Sequence, residues 1–112
     1  MAKILLVEDE MLVRELALED LTEAGHEVTA AGTGDEGLAI LRQGNGFDVL
    51  FTDIRLPGVV DGWQLATEAK RLIPALKVIY ATGLNDDTGR LGPGERLLAK
   101  PYRKDDLLNA VA

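Results

Sequence analysis

The sequence predicts an α/β fold, a parallel sheet with helices on both faces, built as one domain over residues 1–112. Short apolar runs alternate strictly with longer stretches of helical periodicity. Most of the runs are near-continuous in Val, Ile, Leu and Ala, as strands buried on both faces are. The length suits one hydrophobic core but not two.

The first strand is Lys3–Val7, and Glu8-Asp9 ends it. A helix is expected over Glu10–Ala24, with Val13, Leu16, Ala17, Leu21 and Ala24 at helical spacing as its buried stripe. Met11 and Leu18 fall on a different face; scattered exposed apolar residues are ordinary, and a docking surface for a partner helix is the alternative. Glu27–Ala31 is the second strand and Gly34–Gln43 the second helix. Thr33 and Glu36 open that helix as an S/T-x-x-E capping box. Phe47–Thr52 is the third strand, Gly62–Ile73 the third helix, Leu76–Ala81 and Arg96–Ala99 the last two strands. A final helix starts at about Lys104 and is cut short at Ala112, so a longer native chain is expected. Where a regular repeat would place a fourth helix, Gly83–Glu95 holds Gly83, Gly89, Gly92, Pro93 and Gly94. Glycine and proline disfavour helix, so that helix is expected to be short, disordered or missing.

Nineteen acidic against twelve basic residues give a net charge of −7. Nucleic acid is excluded as a partner on that ground, because phosphate backbones need a basic surface. With no cysteine, disulfides and thiolate metal sites are excluded. Ile4–Val7 is too short for a signal-peptide core or a membrane span, so a cytoplasmic protein without membrane contact is expected.

Ligands of an open parallel sheet bind beyond the carboxyl ends of its strands. There the sequence places Glu8-Asp9, Asp53, Thr82 and Lys100-Pro101. Three carboxylates in one crevice repel one another unless a cation or proton compensates. Oxygen ligands without His or Cys favour Mg²⁺, which binds one or two carboxylates together with phosphate oxygens. Asp53, central on strand three, is then the natural nucleophile toward a phosphoryl group, giving an aspartyl phosphate. Lys100 would neutralise the transferring oxygens and Thr82 hydrogen-bond one of them. Each residue alone is more simply a polar strand end; five on one rim by chance is a poor explanation.

The ordered set Lys3-Ile4-Leu5-Leu6-Val7-Glu8-Asp9-Glu10, Asp53-Ile54-Arg55-Leu56-Pro57-Gly58, Asp61-Gly62, Ala81-Thr82-Gly83 and Lys100-Pro101-Tyr102 resembles the receiver domain of two-component response regulators over essentially the whole chain. The resemblance implies a flavodoxin-like three-layer sandwich whose parallel sheet has order 2-1-3-4-5. It implies phosphorylation of Asp53, with Mg²⁺ bound by Asp9, by Glu8 mostly through water, by Asp53 and by the backbone carbonyl of Arg55. It also implies Thr82 and Lys100 as phosphate sensors and a cis Lys100–Pro101 bond that helps aim Lys100. The donor would be a histidine kinase or histidine phosphotransfer protein, and the domain a signalling module rather than an enzyme, assisting its own phosphorylation and dephosphorylation. A dimer through the last helix region is compatible with it. Glu8 stands for the commoner aspartate, one extra residue separates Pro57 from Asp61-Gly62, and Leu97 replaces the usual switch aromatic. Tyr80-Ala81-Thr82-Gly83 is similar to the Phe-Ala-Thr-Gly-type receiver subset, and the chain also resembles receiver modules of hybrid histidine kinases.

The main rival is Gly32-Thr33-Gly34-Asp35-Glu36-Gly37, a literal G-x-G-x-x-G followed by Asp53 at roughly dinucleotide-binding spacing. The capping box already explains the helix start, Asp35 and Glu36 would repel a pyrophosphate there, and the rim residues would be left without roles. His26, the only histidine, opens strand two away from the rim, so the phosphoryl donor must come from outside. Trp63 reads as a packing residue, and Tyr102 as either a partner-facing ring or a cover over the last helix.

Overall fold

The computed structural model describes Met1–Ala112 except residues 45, 84, 85, 87, 88 and 90. Its elements are β1 (Lys3–Val7), α1 (Met11–Glu23), β2 (Glu27–Ala31), α2 (Gly34–Arg42), β3 (Val49–Asp53), α3 (Gly62–Leu72), β4 (Lys77–Thr82), β5 (Glu95–Ala99) and α4 (Lys104–Val111). The five strands are parallel in the order β2-β1-β3-β4-β5, the order expected. β1 and β2 have the expected bounds; β3 starts two residues later and β4 one later than expected, and each ends one residue further, so that Asp53 and Thr82 lie within the strands.

Side-chain alternation divides the core in two. Leu5, Val7, Leu50, Val78 and Tyr80 face the layer of α2 and α3, with Leu41, Leu65 and Ala69. Ile4, Leu6, Phe51, Ile79 and Ala81 face α1 and α4, with Ala17, Leu21 and Leu107. β1, β3 and β4 are buried on both faces, which is why their sequences are continuous rather than alternating. β5 differs. It is an edge strand, with Arg96, Leu97 and Ala99 exposed.

Local chemistry sets the boundaries. Asp61 accepts from the Gln64 amide at 2.9 Å while the Gln64 side chain accepts from the Asp61 amide at 3.0 Å, a capping box that starts α3. Pro74 follows the α3 C-cap Ile73 and cannot continue the helix. Gly25, at φ +97°, ends α1 in a conformation that side chains disfavour.

The buried face of α1 is only partly the one expected. Ala17 and Leu21 are buried, but Ala24 is exposed and Leu16 is 63% exposed, whereas Leu18 packs against the core. Apolar residues lie almost all round this helix, so periodicity does not choose a face; packing on the sheet does. The expected weak helix over Gly83–Glu95 falls partly on residues 84, 85, 87, 88 and 90, outside the described residues. The described positions 83, 86, 89 and 91–94 form turns and coil.

Leu21→Ala is expected to cost about 2–5 kcal/mol and Leu16→Ala within about 0.5 kcal/mol, read from urea unfolding midpoints. Equal losses would contradict the observed orientation of α1.

Candidate functional site

The β-ladder continues one residue past the strands and fixes the rim. The Glu8 amide donates to Ala31 O at 3.1 Å, Ile54 to Ala81 O at 3.3 Å, and Lys100 to Thr82 O at 2.8 Å. Glu8, Asp53 and Lys100 thereby leave the sheet on the same face, that of α1 and α4. The Lys100 ammonium lies 2.8 Å from Glu8 Oε1 and 2.7 Å from Asp53 Oδ1. Glu8 Oε2 accepts the Glu10 amide at 3.0 Å. Glu8 and Asp53 are 3% and 4% exposed, so one partly buried cation serves two buried acids.

Asp9 completes the group from the exposed side. One oxygen from each of Glu8, Asp9 and Asp53 lies within 4.8 Å of the others. The Lys100–Pro101 bond is cis. Thr82 is buried next to Ala81, the residue paired with Asp53, yet its hydroxyl does not hydrogen-bond Asp53. Arg55 lies two residues past Asp53, and its Nε pairs with Asp86 at 2.8 Å.

Asp53 is electrostatically unfinished. Ionised, it has no hydrogen bond of acceptable geometry on either oxygen; its contact with Lys100 is an ion pair at Oδ1 only. Burial, and then the Glu8 carboxylate, push the Asp53 carboxyl up to about 8 against the pull of Lys100. Burial also works on Glu8, but the neighbouring Asp53 carboxyl, the Lys100 ammonium and the Glu10 amide outweigh it and lower that carboxyl. The Lys100 ammonium is opposed by burial and nevertheless stabilised by both acids, so its pKa is raised. A hard divalent cation fits this donor set: three carboxylates around buried oxygens that lack a full set of partners.

Two contributors had no sign in the sequence. The Arg14 guanidinium donates to the Glu8 carbonyl at 2.8 Å and so braces the acidic pair from α1. Its position one turn into the helix after Glu8-Asp9 is the only available cue. Thr52, 1% exposed, donates to Asp53 O at 2.9 Å. Trp63 is a packing residue, its ring 4.3 Å from that of Tyr80. Tyr102 meets Phe51 edge to face at 5.7 Å and joins the α1–α4 core, the covering role of the two expected. His26 is far from the rim, accepting the Ala2 amide through Nδ1 at 3.0 Å. The G-x-G-x-x-G helix start is capped internally: Thr33 accepts from the Glu36 amide at 3.0 Å, and the Glu36 side chain accepts from Gly32 at 2.8 Å.

Asp53's raised value favours its neutral form in the folded state. Its contribution to stability is complete below the unfolded value of 3.8 and is lost as pH rises toward about 8. Glu8, with a lowered value, contributes in the opposite sense, above its unfolded value and not below it. In metal-free buffer Asp53→Asn should therefore raise the thermal midpoint at pH 8 by about 5 °C, or about 1 kcal/mol, and much less at pH 4.5. An equal effect at both pH values would contradict the assignment.

Comparison with known proteins agrees with this geometry. The family model described as response regulator receiver domain matches residues 4–112. The response regulator receiver protein CpdR of Brucella abortus is 34% identical over 117 residues, covering 99% of this chain and 94% of CpdR. The transcriptional regulatory protein AfsQ1 of Streptomyces coelicolor is 36% identical over 87 residues, 78% of this chain but 37% of AfsQ1. A receiver protein structure from Sinorhizobium medicae superposes with TM-score 0.91 at 32% identity, over 98% of this chain and 90% of that one. The receiver domain of the hybrid histidine kinase CckA gives TM-score 0.84 at 31% identity, over 97% and 94%. The chain belongs to the response regulator receiver domains, modules of two-component signalling.

Proposed function

We propose that Asp53 accepts a phosphoryl group from a phosphohistidine of a histidine kinase or histidine phosphotransfer protein, in a Mg²⁺-dependent reaction. The observation that carries this reading is the buried Asp53 carboxylate without hydrogen bonds, which shares one ammonium with a second buried acid. Glu8, Asp9, Asp53 and the Arg55 carbonyl would hold the metal, which supplies positive charge to ionise Asp53 and to neutralise the transferring oxygens.

The transfer balances simply. An Asp53 oxygen forms a bond to phosphorus, the phosphorus–nitrogen bond breaks, and its electron pair stays on the partner's imidazole. Lys100, held by Glu8, stands within reach of the oxygens that gain charge. Thr82, the last residue of β4, would turn toward the phosphoryl group on Asp53 and so shift the loops after β3 and β4 between two states. Leu97, 38% exposed on β5, leaves that shift without the usual aromatic partner.

The partner has a surface to meet. A groove of about 520 Å³ lies beside the site, lined by Val13, Leu16 and Ala17 of α1 and by Lys100, Pro101 and Tyr102. Of these, Leu16 is 63% exposed. This suits the helix of a phosphohistidine protein, whose imidazole would enter over Asp53. Among the described residues no helix is long and apolar enough to cross a membrane.

With acetyl phosphate and Mg²⁺ the protein should gain the mass of one phosphoryl group. Chelation of the metal or Asp53→Ala should abolish the gain, and Lys100→Ala should slow it on the order of a hundredfold. Unchanged labelling of Asp53→Ala would overturn the site.

A further inference from the structure

The glycines of Gly32-Thr33-Gly34-Asp35-Glu36-Gly37 bind nothing in the reading above, and two of them weaken α2 relative to alanine. Neither Gly34 nor Gly37 has a positive φ, so backbone conformation does not require them. Close approach explains Gly34. A Cβ there would stand 2.1 Å from Val60 O, 2.9 Å from Val60 C and 3.0 Å from Val60 Cβ. A backbone carbonyl cannot swing aside as the end of a side chain can. At Gly37 the nearest atoms are such ends, Val7 Cγ2 at 3.0 Å and Leu65 Cδ2 at 3.4 Å.

Val60 belongs to an arch, residues 55–61, that leaves and returns to the site. At its far foot the Gly62 amide donates to Ile54 O at 2.7 Å. A Cβ on Gly62 would stand 2.1 Å from Asp53 O and 2.8 Å from Ile54 Cα. The return of the arch is thus pressed onto the Asp53–Ile54 peptide, and its outer side rests on the first residue of α2. The positive end of that helix also favours a carbonyl oxygen placed against it.

We propose that Gly34 is a positioning residue for the acidic site: its missing side chain seats the Val60 carbonyl on α2, and this seat sets the place of the arch that carries Arg55. It acts through Val60 and touches neither Asp53 nor Arg55. The consequence for metal binding rests on the function proposed above; the seat itself does not.

Amide NMR spectra of the 112-residue chain test both parts. In metal-free buffer Gly34→Ala should shift the amides of Asp53 and of residues 55–62, not only those of α2. In a Mg²⁺ titration its affinity should fall about tenfold or more, the usual effect of disturbing groups behind metal ligands. Leu76→Val, in the core at the opposite end of the sheet, lowers stability and should keep wild-type affinity. If Gly34→Ala does not fold, Val60→Ala replaces it, loosening the seat without adding an atom and weakening affinity in the same direction. Shifts confined to α2, or wild-type Mg²⁺ affinity in the shifted variant, would overturn the proposal. Failure of the wild type to bind Mg²⁺ would overturn the metal reading and the affinity half of this inference. The metal-free shifts would still decide the seat.

Discussion

Glu8 and Asp53 are buried carboxylates on adjacent strands, and the Lys100 ammonium lies between them within 2.8 Å of each. Two anions and one cation in a poorly solvated crevice leave the site one positive charge short. Burial first, and then the neighbouring Glu8 carboxylate, raise the Asp53 carboxyl, while Glu8 itself is lowered. The rest of the molecule serves to keep these groups together. β1 and β3 pair directly, β4 ends in Thr82, and the ladder extends one residue beyond β5, where the Lys100 amide donates to Thr82 O.

Such a site has a cost in stability that the surrounding fold must carry. The central strands β1, β3 and β4 are buried on both faces, and their apolar residues supply two cores either side of the sheet. The edge strand β5 is more exposed, yet it delivers Lys100. The acidic rim thus sits at the end of the most deeply buried part of the sheet. Arg14 and Thr52 act at the join between the two, each donating to the backbone of an acidic residue rather than to its carboxylate.

Much of this was legible in the sequence, for physical reasons. The strands β1 and β2 are bounded by charged or turn-forming residues, so their limits could be read directly. The rim residues could be read because a parallel sheet places all strand ends together. The face of α1 could not, since Met11, Leu12, Val13, Leu16, Ala17, Leu18 and Leu21 surround the helix; only contact with the sheet separates buried Leu21 from exposed Leu16. The expected strand order placed β5 at the edge, but Leu97 and Leu98 give no local sign of how exposed that strand is. Gly34 resembled part of a nucleotide-binding motif, and only the position of Val60 reveals what its missing side chain permits.

The charge deficit at Asp53 is the claim on which the function depends, and the carboxyl carbon of that residue reports it directly. A ¹³C NMR titration should show Asp53 losing its proton near pH 8 without metal, with the midpoint falling well below neutrality when Mg²⁺ is added. A metal-free midpoint in the ordinary aspartate range, about 4 and insensitive to Mg²⁺, would contradict the account.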